Sequence, residues 1–324
     1  LSAQDGKMQI ALTEENLDIR VSIIPISGGE KGVLRLLSSR SRQYTLTDLG
    51  MNEQDLQKVT NAFNKSYGMI LSTGPTGCGK TTSIYAITKI LNTREKNITT
   101  IEDPVEYRIA GANQVQVNAK TNLTFANGLR SILRQDPNII FVGEIRDNET
   151  AAIAVNAALT GHLVLSTLHT NDAATAIPRL TDMKIEPFLV ASTVNIIIAQ
   201  RLVRKICDIC KTTRAVSQEE LKKQIPGDAI KKHFADTLEL TMYKGKGCKI
   251  CHMTGYSGRV GIFEVLEVTK AIREKITERC DSDVIAQTAA QEGMSTMLDD
   301  GLEKVARGVT TMEEVVRVTK VESL

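Results

Sequence analysis

Tryptophan is absent, and aromatic residues make up only 4% of the 324 residues. That scarcity removes the stacking platforms on which single-stranded nucleic acid is usually held. No run of about 18 apolar residues occurs, so nothing in the chain reads as a membrane-spanning helix. The apolar stretches at 138–143 and 195–200 have the size of a strand or a core helix. No basic-then-apolar leader follows Leu1. Because the chain opens on Leu1 and not on Met, we expect a piece of a longer protein, with an upstream segment missing. Repeats and low-complexity tracts are also lacking. What is present, 42% apolar and 24% charged residues, suits a globular chain of one to three domains and excludes fibrous, collagen-like and largely disordered classes.

Charge is nearly balanced overall, at +2, but unevenly placed. Residues 1–200 carry 19 basic and 19 acidic groups, residues 201–280 carry 17 and 10, and residues 281–324 carry 4 and 9. A basic segment can mark a nucleic-acid or membrane-facing patch, or compensate a buried anionic site.

Along the chain, residues 7–12, 17–24 and 32–37 read as short strands broken by Pro25 and the turn Ser27–Glu30. Residues 38–50 read as a linker in which Thr47 or Asp48 caps a following helix. From Gly68 onward apolar strands of four to six residues alternate with helices, the pattern of a mostly parallel sheet covered on both faces. A cysteine-bearing segment follows at 204–268, and residues 269–320 show helical periodicity only.

Gly74-Pro75-Thr76-Gly77-Cys78-Gly79-Lys80-Thr81 fits G-x-x-x-x-G-K-[ST] without a mismatch and stands between an apolar strand and a helix. Glycines let backbone N–H groups wrap phosphate oxygens at a helix N-terminus. Lys80 then supplies charge to the β- and γ-phosphates, and Thr81, followed by Thr82, a Mg²⁺ ligand. The competing explanation is a glycine-rich turn matching by chance. Ile139–Glu144 is an apolar strand ending in a carboxylate, with Glu144 where many such enzymes carry Asp. Thr99–Glu106 is a second strand ending in Glu102, Asp103 and Glu106. In a parallel sheet both strands deliver their acids to the edge that holds the phosphate loop; otherwise these are surface charges. His169 ends a third strand and His162 precedes it. Each is most simply a structural hydrogen-bonder, and the place of His169 beside the acidic strand makes it a candidate γ-phosphate sensor.

Cys207-Asp208-Ile209-Cys210 and Cys248-Lys249-Ile250-Cys251 are two C-x-x-C pairs, the pattern of a four-cysteine zinc site. Four thiolates on one Zn²⁺ leave a net negative site, which Lys205, Lys211 and Lys249 would compensate. Three rivals exist. Cys248–His252 spells a c-type haem attachment motif, which leaves the first pair unexplained. Structural disulfides do not suit a reducing compartment. A redox dithiol needs one pair, not two. Cys280, alone in a helical pattern, reads as an indifferent thiol.

Taken in order, the loop GPTGCGKTT, the acidic box TIEDPVEY, the strand FVGEIRD and the box STLHTND resemble the GspE/PulE family of secretion ATPases. The resemblance extends back to Asp18–Ser22 and Gly29–Leu37 and forward to Gln200–Arg204, Gly301–Val305 and Thr310–Val315. It implies a RecA-like P-loop ATPase core with a parallel sheet (51–203), preceded by the end of a PAS-like domain (1–37) and a linker (38–50). A tetracysteine zinc-binding subdomain (204–268) and a C-terminal helical region (269–324) follow. It further implies ATP, Mg²⁺ and Zn²⁺ as ligands, with Glu106 the catalytic carboxylate and Glu102 its alternate. Glu144 and Thr81 would hold Mg²⁺, and His169 would read the γ-phosphate. Arg20 and Arg35 would reach the phosphates on domain closure, in the manner of arginine fingers. Cys78 departs from the commoner Ser. The tetracysteine segment favours an assembly or secretion motor over a retraction motor.

By that resemblance the expected function is ATP hydrolysis driving type II secretion or type IV pilus assembly. The expected setting is a cytoplasmic homohexamer at an inner-membrane platform protein, acting on pilin-like subunits indirectly and on no nucleic acid directly. The alternatives are a RecA-like nucleic-acid translocase, opposed by the balanced charge of 1–200, and a nucleotide-binding assembly protein with little turnover.

Overall fold

The computed structural model describes residues 2–11, 16–38, 44–234 and 239–319. Three antiparallel strands come first: β1 (Gln4–Ala11), β2 (Asn16–Ile26) and β3 (Gly29–Ser38). Register places Lys7, Arg20 and Arg35 abreast on one face of this sheet, and Met8, Ile19 and Leu36 abreast on the other, as the two-residue period of a strand requires. Of the expected linker, residues 39–43 lie outside the described residues. The helix after it, α1 (Glu53–Phe63), is capped neither by Thr47 nor by Asp48 but by Asn52, whose side chain accepts from the Asp55 N–H. Asp48 instead turns back and accepts from the Thr45 N–H at 2.9 Å.

The central unit then follows as β4 (Gly68–Thr73), α2 (Lys80–Leu91), β5 (Ile98–Glu102), β6 (Ala112–Gln116), α3 (Phe125–Ile132), β7 (Ile139–Val142), α4 (Asn148–Leu159), β8 (Leu163–Leu168), α5 (Ala176–Asp182), α6 (Pro187–Thr193) and β9 (Val194–Ile206). Beyond it come β10 (Lys211–Ser217), α7 (Gln218–Lys222), α8 (Gly227–His233), β11 (Glu239–Gly245) and β12 (Tyr256–Glu267). Four helices close the described chain: α9 (Lys270–Thr277), α10 (Ser282–Gln291), α11 (Met297–Ala306) and α12 (Met312–Thr319).

Seven strands form one sheet in the order β12-β9-β4-β8-β7-β5-β6, parallel throughout except for the edge pair β12–β9. The sheet is therefore mixed and mostly parallel. Its inner strands are buried on both faces, so they show no alternation of apolar and polar faces. Met69 and Leu71 of β4 pack toward α4–α6, α9 and α10, while Ile70 between them packs toward α1 and α2.

Three features depart from the sequence pattern. The polar strand β6 was not foreseen, because ANQVQ sits half-exposed at the sheet edge and carries no apolar run. Residues 187–203 read as one element in the sequence but are two: Pro187 starts α6, and the β-branched run after Thr193 turns the chain directly into β9. The expected boundary at 203/204 falls inside β9, and Tyr256–Glu267 of the expected cysteine subdomain is a strand of the central sheet. The hairpin β10–β11 with α7 and α8 instead shares a third core with α11 and α12, centred on Leu221, Leu240, Leu302 and Val315.

The last helix is tied to the sheet by charge. Buried Glu314 accepts from the Arg204 guanidinium at 2.7 Å, the Arg204 backbone N–H at 2.9 Å and the Arg317 guanidinium at 2.9 Å. Burial alone would push this carboxyl up. Hydrogen bonds from Arg317 and Arg204 outweigh it and hold the group down at about 2. A carboxyl depressed in the folded state stabilises above its unfolded value, and that stability is lost as pH falls toward its folded value. The melting temperature should therefore fall between about pH 4.5 and 2. Glu314→Gln, destabilised at pH 7 by on the order of 2 kcal/mol, should approach wild type at the acid end. An equal gap at both pH values would remove Glu314 from the acid response.

Candidate functional site

β4 runs fully buried to Thr73, and the chain then turns through Gly74, Gly77 and Gly79 at φ of 141°, 81° and 94°. At Gly74 a Cβ would lie 2.5 Å from the Gln200 carbonyl oxygen, so only glycine fits there. No side chain caps α2, which leaves the N-terminus of a twelve-residue helix to the loop and to any anion in it. The Lys80 ammonium donates to the carbonyls of Gly74 (2.7 Å) and Pro75 (3.0 Å), folded back over the loop it belongs to. Burial lowers its pKa, opposed by Cys78 and Glu144. Cys78 is itself buried, which pushes its thiol up. Its carbonyl accepts from Gln200 Nε2 at 2.7 Å, while Gln200 Oε1 accepts from Ser83 Oγ at 2.7 Å. One glutamine of β9 thus fastens the loop to the helix after it.

A cleft of about 640 Å³ opens over this loop. Thr76, Gly77, Gly79, Lys80, Thr81 and Thr82 form one wall, and Glu102, Glu106, Glu144 and His169 face them from the ends of β5, β7 and β8. Strand order explains the convergence: β8 neighbours β4, β7 neighbours β8, and β5 neighbours β7, all parallel, so their carboxyl ends share one edge. Arg35 and Asp18 of the N-terminal sheet also line the cleft. Gly74, Pro75 and Cys78 of the same loop are not among the residues that line the cleft.

The carboxylates differ sharply. Glu102 is buried and accepts from Thr100 Oγ1 at 2.5 Å, Gln114 Nε2 at 3.2 Å and the Tyr85 hydroxyl. Burial raises its pKa, with those three donors opposing. Glu106 is partly exposed and pairs with Arg20 at 2.7 Å, whose guanidinium also donates to the Val105 carbonyl at 3.1 Å. Arg20 thus faces the acidic loop, whereas Arg35 faces the open cleft. Glu144 lies 2.6 Å from Arg146 Nε and 3.3 Å from His169 Nε2. His162 lies elsewhere, against the Ala157 carbonyl at 3.0 Å, as a structural histidine does. Cations and a helix N-terminus on one side, with carboxylates opposite, suit a polyphosphate bound together with a divalent cation.

The four cysteines form a second site. Their Sγ atoms lie within 4.8 Å of one another and none is in a disulfide. Cys207–Cys248, Cys210–Cys251 and Cys248–Cys251 stand 3.9, 3.8 and 3.6 Å apart. A tetrahedral zinc with Zn–S bonds of about 2.3 Å sets its sulfurs about 3.8 Å apart. Backbone N–H groups of Cys248 (3.1 Å) and Gly255 (3.3 Å) point at Cys251 Sγ, the donors a thiolate needs. The donor set fits zinc.

Sequence reasoning missed Tyr85, Arg146 and Gln114. The first sits in a helix of apolar appearance, the second stood inside the matched strand FVGEIRD with no role assigned, and the third lies outside the matched boxes. Gln200 was within the matched stretch but had no role assigned. A polar residue in the apolar run before it was the available signal.

Fold and cleft together define a P-loop nucleotide-binding α/β protein. The chain belongs to the type II/IV secretion system protein family, whose profile matches residues 2–317. It is 47% identical to type II secretion system protein E of Pseudomonas aeruginosa, over 98% of this chain and 62% of that protein. It is 46% identical to the type IV pilus assembly ATPase PilB of Myxococcus xanthus, over 97% of this chain and 55% of that one. The chain thus spans about three fifths of the length of the curated relatives it matches. Among solved structures, the pilus retraction motor PilT with bound ADP superposes with a TM-score of 0.69 at 28% identity, over 98% of this chain and 78% of PilT. The Legionella pneumophila ATPase DotB, at 21% identity and the same TM-score, shares the fold.

Proposed function

We propose that this chain is the motor part of a secretion or pilus-assembly ATPase, hydrolysing ATP with Mg²⁺ and passing the energy to a membrane-bound machine as domain motion. The observation that carries this reading is the convergence of the Lys80 loop, Glu144 with His169, and Glu106 with Arg20 in one cleft. In it, Lys80 and the N-terminus of α2 hold the β- and γ-phosphates, and Thr81 and Glu144 hold the metal, which supplies charge neutralisation. Glu106 accepts a proton from and orients the attacking water, a role for which its partial exposure suits it better than the enclosed Glu102. His169, against Glu144, reads the γ-phosphate. Arg35, and Arg20 through Glu106, bring positive charge from the N-terminal sheet, so closure of that sheet and assembly of the catalytic groups are one event.

The relatives of 46–47% identity are a type II secretion protein and a pilus assembly ATPase, and assembly or secretion is the direction we propose here. In the same reading residues 1–37 complete a PAS-like domain and the four-cysteine cluster holds Zn²⁺. The chain works as a homohexamer on the cytoplasmic side of an inner-membrane platform. No helix among the described residues is long and apolar enough to cross a membrane, which fits attachment through a partner. The experiment is Mg²⁺-dependent phosphate release from ATP by wild type and by Glu106→Gln, with and without DNA. Wild-type release that DNA leaves unchanged, lost in the variant, supports the reading. Strong stimulation by DNA would support a translocase instead.

A further inference from the structure

Tyr85 belongs to no phosphate-binding motif, yet it stands at the centre of the acidic half of the cleft. It lies little more than one turn after Lys80 on α2 and is fully buried. Its ring meets those of Tyr107 and Phe141 edge-on at 4.6 and 5.9 Å between centroids, so it is packed tightly on two sides. Its hydroxyl does two things at once. It donates to Glu102 Oε2, and it accepts from the backbone N–H of Glu106 at 3.2 Å.

Those contacts form a chain. The other oxygen of Glu102 accepts from Thr100 and Gln114, so the carboxylate is held on both sides and fixes which way the phenol points. The phenol proton goes to Glu102, so a lone pair faces the Glu106 N–H. Burial, with the Glu102 charge second, pushes the phenol's ionisation up, so it remains a neutral donor. Gln114 braces the same loop, donating to the Tyr107 carbonyl at 3.1 Å and accepting from the Ile109 N–H at 2.7 Å.

We infer that Tyr85 is a positioning residue for Glu106, its hydroxyl tying the main chain of the water-orienting carboxylate to the same helix that binds the phosphates, with Glu102 as its anchor. The inference rests on the reading of Glu106 given above. Its consequence is geometric: Glu106 and the γ-phosphate are referred to one rigid element, α2, and not to two independently moving loops. Glu102 then serves the reaction without touching water or nucleotide.

Tyr85→Phe removes one oxygen atom and keeps the ring packing. It should lower kcat at least ~10-fold, because misplacement of a reacting group by a fraction of an ångström has costs of that order. The KM for ATP should stay within about twofold, since no phosphate contact is lost, and the melting temperature should fall by no more than about 5 °C. Glu102→Gln should lower kcat without raising KM, and adding it to Tyr85→Phe should cost little more than the worse single change, as for residues acting through one contact. Wild-type kcat in Tyr85→Phe would overturn the inference. So would a parallel loss of kcat, ATP affinity and melting temperature, which marks a residue that only supports the fold. An inactive Glu106→Gln beside a fully active Tyr85→Phe overturns this inference alone. A fully active Glu106→Gln overturns the assignment of Glu106, and this inference with it.

Discussion

Lys80→Ala should abolish measurable tight binding of ATP. In the structure the Lys80 ammonium is buried and bonded to the carbonyls of Gly74 and Pro75 in its own loop, so it is already held over the space a β- or γ-phosphate would fill. Each charge-assisted contact contributes roughly 1.5–3 kcal/mol, and losing contacts to two phosphates should raise the Kd for ATP at least ~100-fold. The loop should keep its shape, because Gln200 fastens it independently through Cys78 and Ser83. Equilibrium binding of a fluorescent ATP analogue reads the effect directly. Wild-type affinity in the variant would show that Gly74–Thr81 is not the phosphate loop.

The second large effect is on the four-cysteine cluster. Elemental analysis should find one Zn²⁺ per chain, and Cys207→Ser or prolonged chelation should lower it. Zinc in small metal-folded units contributes on the order of 10 kcal/mol. Few other interactions are available to replace it locally: the two turns carry Ile209, Ile250 and Met253 largely exposed, at 69%, 65% and 70%. Without the metal, the two cysteine turns, at 207–210 and 246–255, should become cleavable by protease while the seven-stranded sheet stays resistant. The same treatment of Cys280→Ser should match wild type. A metal-free chain with an intact cysteine segment would refute the zinc assignment.

The sequence made the catalytic half of the molecule legible for a specific reason. β4, β5, β7 and β8 are buried on both faces, so each is a short run of apolar and small β-favouring residues leading to a chemically distinctive one: Gly74, Glu102, Glu144 or His169. Parallel crossovers put those strand ends on one edge, while the strand order itself came from the structure. Other parts were hidden for equally physical reasons. β12 pairs antiparallel with β9 across fifty residues of intervening chain, a contact no local pattern announces. β6 has polar side chains because it is an edge. Tyr85 reads as one more large core residue, and only the hydroxyl between Glu102 and Glu106 separates it from Ile84 and Ile87 beside it. Arg20 and Arg35 were singled out by resemblance alone. Register now sets them directly abreast on the face of β2 and β3 that carries the cleft residue Asp18, a placement that needed the strand pairing.

The decisive observation is the nucleotide found in Glu106→Gln. That variant keeps the Lys80 loop, the Glu144–His169 pair and the size of the side chain, and loses only the charge that orients water. Incubated with ATP and Mg²⁺, then separated from free nucleotide and quenched, it should release ATP with its γ-phosphate intact, where wild type yields ADP. Phosphate release should fall at least ~100-fold, as for loss of a group acting in the transition state. ADP recovered from the variant at the wild-type rate would contradict the account, because the chemistry would then be running without the carboxylate on which the proposed site is built.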